Sequence, residues 1–226
     1  MEAGLSLAPL SLSMFGVAVL AGKRAGRRRP SSIIRAGFAI YTLGVLLLIP
    51  IVPRTDSGWY LVIPLVIAGS GLGLLVSQLN NYTLAPISEE RISEAASVNS
   101  AAGSFGLSFG LAFAGAIMLA TLSIAFGALA EDSTVLAPAE KQRVAQVLEH
   151  DAQVMSNTQV EELLASQPPA TQDEIIRINT EARPLALQVA LLIPALAGLA
   201  GLVISFRMMR QPDPTPSSAA EGMTLA

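Results

Sequence analysis

The chain has 226 residues, 52% of them hydrophobic and only 14% charged, with a net charge of −3 and no cysteine. A soluble domain carries roughly 25% charged residues, so the deficit points toward lipid. The charge balance argues against a polyanion-binding protein, the lack of cysteine excludes disulfides and thiol chemistry, and a single histidine leaves little for a metal or catalytic cluster.

Where charge is missing sets the organisation. Residues Ala3–Gly22, Ala36–Pro53, Ser57–Ser88, Ala95–Ala130 and Pro184–Phe206 contain no Asp, Glu, Lys or Arg. A bilayer core of about 30 Å takes roughly 20 apolar residues as helix. The windows are apolar nearly all round, whereas a soluble helix keeps a polar face. The sequence therefore predicts an all-α membrane protein with five transmembrane helices. Their expected bounds are 3–22, 33–53, 58–84, 95–127 and 184–207.

The first span ends in AGKRAGRRRP, where five of the seven residues from Lys23 to Arg29 are basic. The charges follow the apolar run, the reverse of a secretory signal peptide, so this segment reads as a span that stays. Short basic loops lie on the cytoplasmic side. That places the N-terminus outside, residues 54–56 outside, 89–94 inside, 131–183 outside and the tail inside. Trp59 and Tyr60 at the outer start of the third span, and Tyr82 near its inner end, suit the two interfaces. The basic run is then a solvated loop near anionic lipid. No folded basic face with aromatic readers accompanies it, so nucleic acid is not an expected partner.

The third span contains AGSGLGLLVSQLNN. Gly69, Gly73 and Ser77 recur every four residues and share a face, as do Ala102, Gly106, Gly110 and Ala114 in the fourth span. Such faces let helices approach closely in lipid, on each other or on another neighbour. GSGLG is no phosphate loop, since it lies in a charge-free span with no lysine and no strand before it. Pro9, Pro64 and Pro194 fall inside spans, where neighbouring helices tolerate a lost donor. Gln78, Asn80 and Asn81 are polar groups at the inner end of the third span and should face a partner or water.

Residues 131–183 differ in kind. Ten of the 17 acids lie between Glu131 and Glu181. Val144, Val147, Leu148 and Val154 have helical spacing, a second short helix should end at Pro168, and Thr171-x-x-Glu174 reads as a capping box opening a helix that runs toward the last span. An acidic extracytoplasmic helical loop is expected, with His150 a solvated side chain on it. Residues 208–226, rich in Pro and Ser, read as a disordered cytoplasmic tail.

EAGLSLAPLSLSMFGVAVLAGKRAGRRRP resembles a second-half helix of major facilitator superfamily transporters with its cytoplasmic loop, most of all the fourteen-helix drug:proton antiporter branch. GSGLGLLVSQLNNYTLAPISEERISEAASVNSAAGSFGLSFGLAFAGAIM is similar to the antepenultimate and penultimate helices of that branch. Of the family's loop motif, Arg24, Gly26, Arg27 and Arg28 match. Lys23 stands where the family has an acid, and Val19 where it has the leading glycine. The resemblance implies part of a C-terminal bundle, with the N-terminal half as missing partner. It implies no cofactor, no metal and no covalent chemistry. The first, third and fourth spans would then line a cavity for lipophilic compounds exported by alternating access with proton antiport. The candidate wall residues are Met14, Phe15, Gln78, Asn81, Phe105 and Phe109. No span contains Asp or Glu, the usual mark of a proton relay, so the chain is not expected to transport alone. The alternative is a non-transporting membrane protein whose acidic outer loop binds a partner.

Overall fold

A computed structural model describes residues 2–23, 29–54, 58–136, 141, 168–210 and 212. Five α-helices follow in order: α1 (Glu2–Lys23), α2 (Pro30–Ile51), α3 (Trp59–Leu84), α4 (Ile92–Asp132) and α5 (Pro169–Met208). Among the described residues there is no strand. Helices α2 to α5 are long and apolar enough to cross a membrane, and α1 is a shorter apolar fifth. The all-α membrane architecture expected from the charge-free windows is therefore present.

The helix ends follow from local chemistry. Pro30 opens α2 at a position where its missing N–H costs nothing. Lys23 and Arg207 occupy the last turns of α1 and α5, where exposed carbonyls favour a cation. Short 3₁₀ turns at Val52–Arg54 and Glu89–Arg91 follow α2 and precede α4.

Two elements run longer than the windows suggest. Helix α4 has 41 residues and α5 has 40. At 1.5 Å per residue each is about 60 Å long, roughly twice the thickness of a bilayer core. The capping-box reading needs correction. Helix α5 begins two residues earlier, at Pro169, and the Thr171 and Gln172 N–H groups donate to the Pro168 carbonyl at 2.9 and 3.0 Å. Thr171 is thus the third residue of the helix, and the Glu174 carboxylate turns to Arg177 and Ser133 rather than back to the start. Apart from Lys141, the segment 137–167 with its expected short helices and His150 lies outside the described residues, as does nearly all of the tail after Met208.

The chain divides into two compact units, residues 1–110 with 192–226, and residues 111–191. In the first, α3 lies between α1 and α2, and glycines make this possible. Residues four apart on a helix share a face, while those two apart lie on nearly opposite faces. A β-carbon at Gly69 would overlap Ser13 Oγ and the Leu10 carbonyl, and one at Gly73 would sit 2.5 Å from the Met14 carbonyl, all in α1. Gly71, between them, faces the other way, and a β-carbon there would overlap the Tyr41 backbone nitrogen of α2. So GSGLG serves two neighbours at once. Along α2 the steps match in reverse order: Gly44 meets Ala68, Tyr41 meets Gly71, and Gly37 meets Leu75. The helices are antiparallel with a constant register. On an adjoining face α2 meets the second half of α5, with Thr42 and Tyr41 against Gly198, Phe38 against Gly201 and the Arg35 guanidinium 5.4 Å from the centre of the Phe206 ring.

The second unit pairs the second half of α4 with the first half of α5. Leu122, Ala125, Phe126, Ala130 and Leu136 form one apolar cluster with Ile175, Ile178, Ala182 and Ala186. Phe126 and Ile178 are its largest fully enclosed side chains. Ser133 closes α4: its Oγ accepts from the N–H groups of Val135 and Leu136 at 3.2 and 3.3 Å.

Candidate functional site

The expected wall residues lie on three helices of the first unit. On α1, Met14 is half-buried, its carbonyl facing Gly73, while Phe15 is exposed. On α4, Phe105 and Phe109 are both exposed and stack on each other, one turn apart, with centroids 5.8 Å apart and planes 18° from parallel. Beside the two rings, Gly103, Gly106 and Gly110 have open space where a side chain would project. The chemistry that the two exposed, stacked rings offer is apolar stacking.

The polar candidates on α3 separate. Gln78 is only 3% exposed, and its Nε2 has no hydrogen-bond partner. It lies within the helix packing, since the register of α2 on α3 continues from Gly37–Leu75 to set Gln78 across from Ile34. Asn81 is exposed. Its neighbour Asn80 accepts a hydrogen bond from Asn99 Nδ2 at 2.9 Å, which joins the end of α3 to the start of α4. Nearby, an exposed Arg91–Glu94 ion pair of 3.1 Å orders the turn entering α4; such a pair contributes little on its own.

The packing candidates also separate. Gly69 and Gly73 lie against α1. On α4, Ala102 is exposed, Ala114 is half-buried, and a β-carbon at Gly106 or Gly110 would meet nothing within 4 Å. Of the basic-loop candidates, Lys23 is exposed at the end of α1. Arg24, Gly26, Arg27 and Arg28 lie outside the described residues. Among the described residues no group of three or more acids and histidines is placed to hold a metal.

One cluster was not singled out from the sequence. In the second unit the Arg177 guanidinium donates to Glu174 at 2.8 and 2.9 Å and to both Glu181 oxygens at 3.0 Å. Arg177, and then Ser133 from the end of α4, hold the Glu174 carboxyl well below the usual carboxylate range, at about 2. Arg183 Nε donates to the buried Asn179 Oδ1 at 3.0 Å. The spacing of Glu174, Arg177 and Glu181 at three and four residues is readable in the sequence as ion-pair support on one face. Nothing in the spacing points to Ser133.

No protein-family model matches the chain, and no solved structure matches it. The chain is similar to a protein of Streptomyces coelicolor named as a probable actinorhodin transporter. The two are 25% identical over 142 residues, which is 62% of this chain and 25% of that protein. The match thus spans about a quarter of the length of the curated relative.

Proposed function

We propose that this chain is a C-terminal segment of a multidrug efflux transporter of the major facilitator type, embedded as a multi-pass protein with its N-terminus outside and its C-terminus cytoplasmic. The observation that carries the reading is the 142-residue similarity to a named transporter, falling on a chain built of charge-free helices. The resemblance of the basic loop and of α3 and α4 to the drug:proton antiporter branch supports the same reading.

In this reading the chain does no covalent chemistry. Met14, Phe15, Asn81, Phe105 and Phe109 supply one wall of a cavity for lipophilic compounds, and Gln78 supports that wall from within the packing. Apolar surface with a few polar groups suits such ligands. Transport needs a second bundle against which this one rocks, with the site between them. Proton coupling then falls to acids of the N-terminal half, because the spans here contain none. Domain assignment follows: four spans in residues 1–130, an extracytoplasmic helical segment over 131–183, a last span over 184–207 and a cytoplasmic tail.

A second reading, a non-transporting membrane protein whose acidic outer segment binds a partner, is favoured by the outer helical pair being a compact unit with its own apolar cluster. Reconstitution separates the two. The purified chain in liposomes with an imposed pH gradient should give no dye efflux, and co-reconstitution with an N-terminal half encoded in frame upstream should restore it. Absence of any such upstream frame, or efflux unaffected by adding that half, would overturn the transporter-segment reading.

A further inference from the structure

The chain passes between its two compact units at two places, inside α4 next to Gly110 and inside α5 next to Leu192. Both crossings carry residues that weaken a helix. Around the first, Gly103, Gly106, Gly110 and Gly115 fall in a short run, and none has a neighbour within 4 Å of where a side chain would begin. Every residue from Ser100 to Phe109 is exposed. That stretch is rich in Gly and Ser, so its helix propensity is weak, and it is exposed along its length. Around the second, Pro194 lacks the N–H that would donate to the Ala190 carbonyl, and its ring crowds the preceding turn. Leu192, Leu196 and Ala197 beside it are exposed. Away from these stretches α5 is gripped by α2 through Gly198 and Gly201, the second half of α4 and the first half of α5 are gripped by the Phe126–Ile178 cluster, and the start of α4 is tied to α3 by the Asn99–Asn80 bond.

We infer that α4 and α5 each contain a bending joint, at Gly103–Gly115 in α4 and at Pro194 in α5. Hydrocarbon leaves backbone groups no partner but each other, so the joints bend without unwinding. Sharp bends in helices occur at proline and at glycine-rich positions for these same reasons. The inference concerns helix mechanics and stands whether or not the chain belongs to a transporter.

Spin-label distances within single helices test it, on the full chain in lipid nanodiscs. The sequence has no native cysteine to interfere. Labels at Ser97→Cys and Ala128→Cys bracket the α4 joint, about 46 Å apart in a straight helix. Labels at Leu185→Cys and Val203→Cys bracket Pro194 at about 27 Å. Labels at Ala116→Cys and Glu131→Cys, about 22 Å apart, give the width for a gripped segment. Both bracketing pairs should show distributions at least about twice as wide as this reference, by the bend that glycine and proline permit. Replacing the four glycines with alanine, which meets no neighbour there, should narrow the α4 pair to the reference width, and Pro194→Ala should narrow the α5 pair. Bracketing pairs as narrow as the reference in the unaltered chain would overturn the inference. So would broad distributions that the alanine variants leave unchanged.

Discussion

Gly44 of α2 and Ala68 of α3 meet backbone to backbone, so that a β-carbon at position 44 would lie 2.7 Å from the Ala68 Cα and 2.8 Å from its Cβ, with the Ala68 nitrogen nearer still. Helices in hydrocarbon gain nothing from apolar contact as such; they associate through close packing. This contact is one of three in register along the pair, with Tyr41–Gly71 and Gly37–Leu75. Backbone atoms cannot swing aside as a flexible side chain can. Gly44→Ala should therefore cost about 1–3 kcal/mol, the usual range for overpacking. Gly106→Ala, where a β-carbon meets nothing, should cost none. Reversible unfolding in mixed micelles measures both. Equal stability of the two variants would mean that α2 and α3 are not held at this distance.

Gln78 should respond in the opposite sense. Its buried Nε2 has no partner, and a buried donor left unsatisfied costs about 1–3 kcal/mol. Gln78→Leu removes the donor at similar volume and should raise stability by about 1 kcal/mol. The same unfolding measurement checks it. A large loss instead would show that the amide is paired in the membrane-embedded protein.

The Glu174–Arg177–Glu181 ion cluster should make the second unit sensitive to acid. Glu174 titrates at about 2 when folded, below its ordinary 4.5, because Arg177 and Ser133 bond its ionised form. A depressed carboxyl favours folding fully above its ordinary value, and this contribution fades as pH falls from about 4.5 toward 2. Thermal melting followed by circular dichroism at pH 7 and pH 3 should show a drop in melting temperature. Glu174→Gln should lower stability at pH 7 and flatten the pH dependence across that window. A variant as acid-sensitive as the original chain would assign the effect to other groups.

Sidedness can be checked directly. With the N-terminus outside, an impermeant reagent added to intact cells should fail to label Lys23 and should reach a tag inserted at Gln153. The reversed pattern would overturn the orientation and, with it, the placement of the acidic segment outside.

Stacking on α4 gives the last expectation. Phe105→Ala with Phe109→Ala removes two exposed rings whose stacking contributes little to the fold. Binding of a lipophilic fluorescent dye to the chain in nanodiscs should weaken by about fivefold to 150-fold, the loss of two aromatic contacts at roughly 0.5–1.5 kcal/mol each. Unfolding should be nearly unaffected. Unchanged dye affinity would remove these rings from the wall.

The helices could be read from the chain because charge and bilayer impose a one-dimensional rule. An ion costs too much in hydrocarbon, so charge-free runs of sufficient length mark candidate spans whatever their neighbours do. The same rule could not give the full length of α5, because its first half carries Asp173, Glu174, Arg177, Glu181 and Arg183 and is held by the packing of Ile175 and Ile178 against the second half of α4. Small-residue spacing identified Gly69 and Gly73 as one face, but which neighbour a face meets is a three-dimensional matter. Only the folded chain gave Gly69 and Gly73 to α1, turned Gly71 toward Tyr41, and left Gly106 and Gly110 open. Likewise the polarity of Gln78 was plain from its name, whereas its enclosure opposite Ile34 depended on the register of α2 on α3. Composition and periodicity fix what each helix can tolerate around it; contact between helices, set by backbone approach to within a few ångströms, decides which tolerance is used.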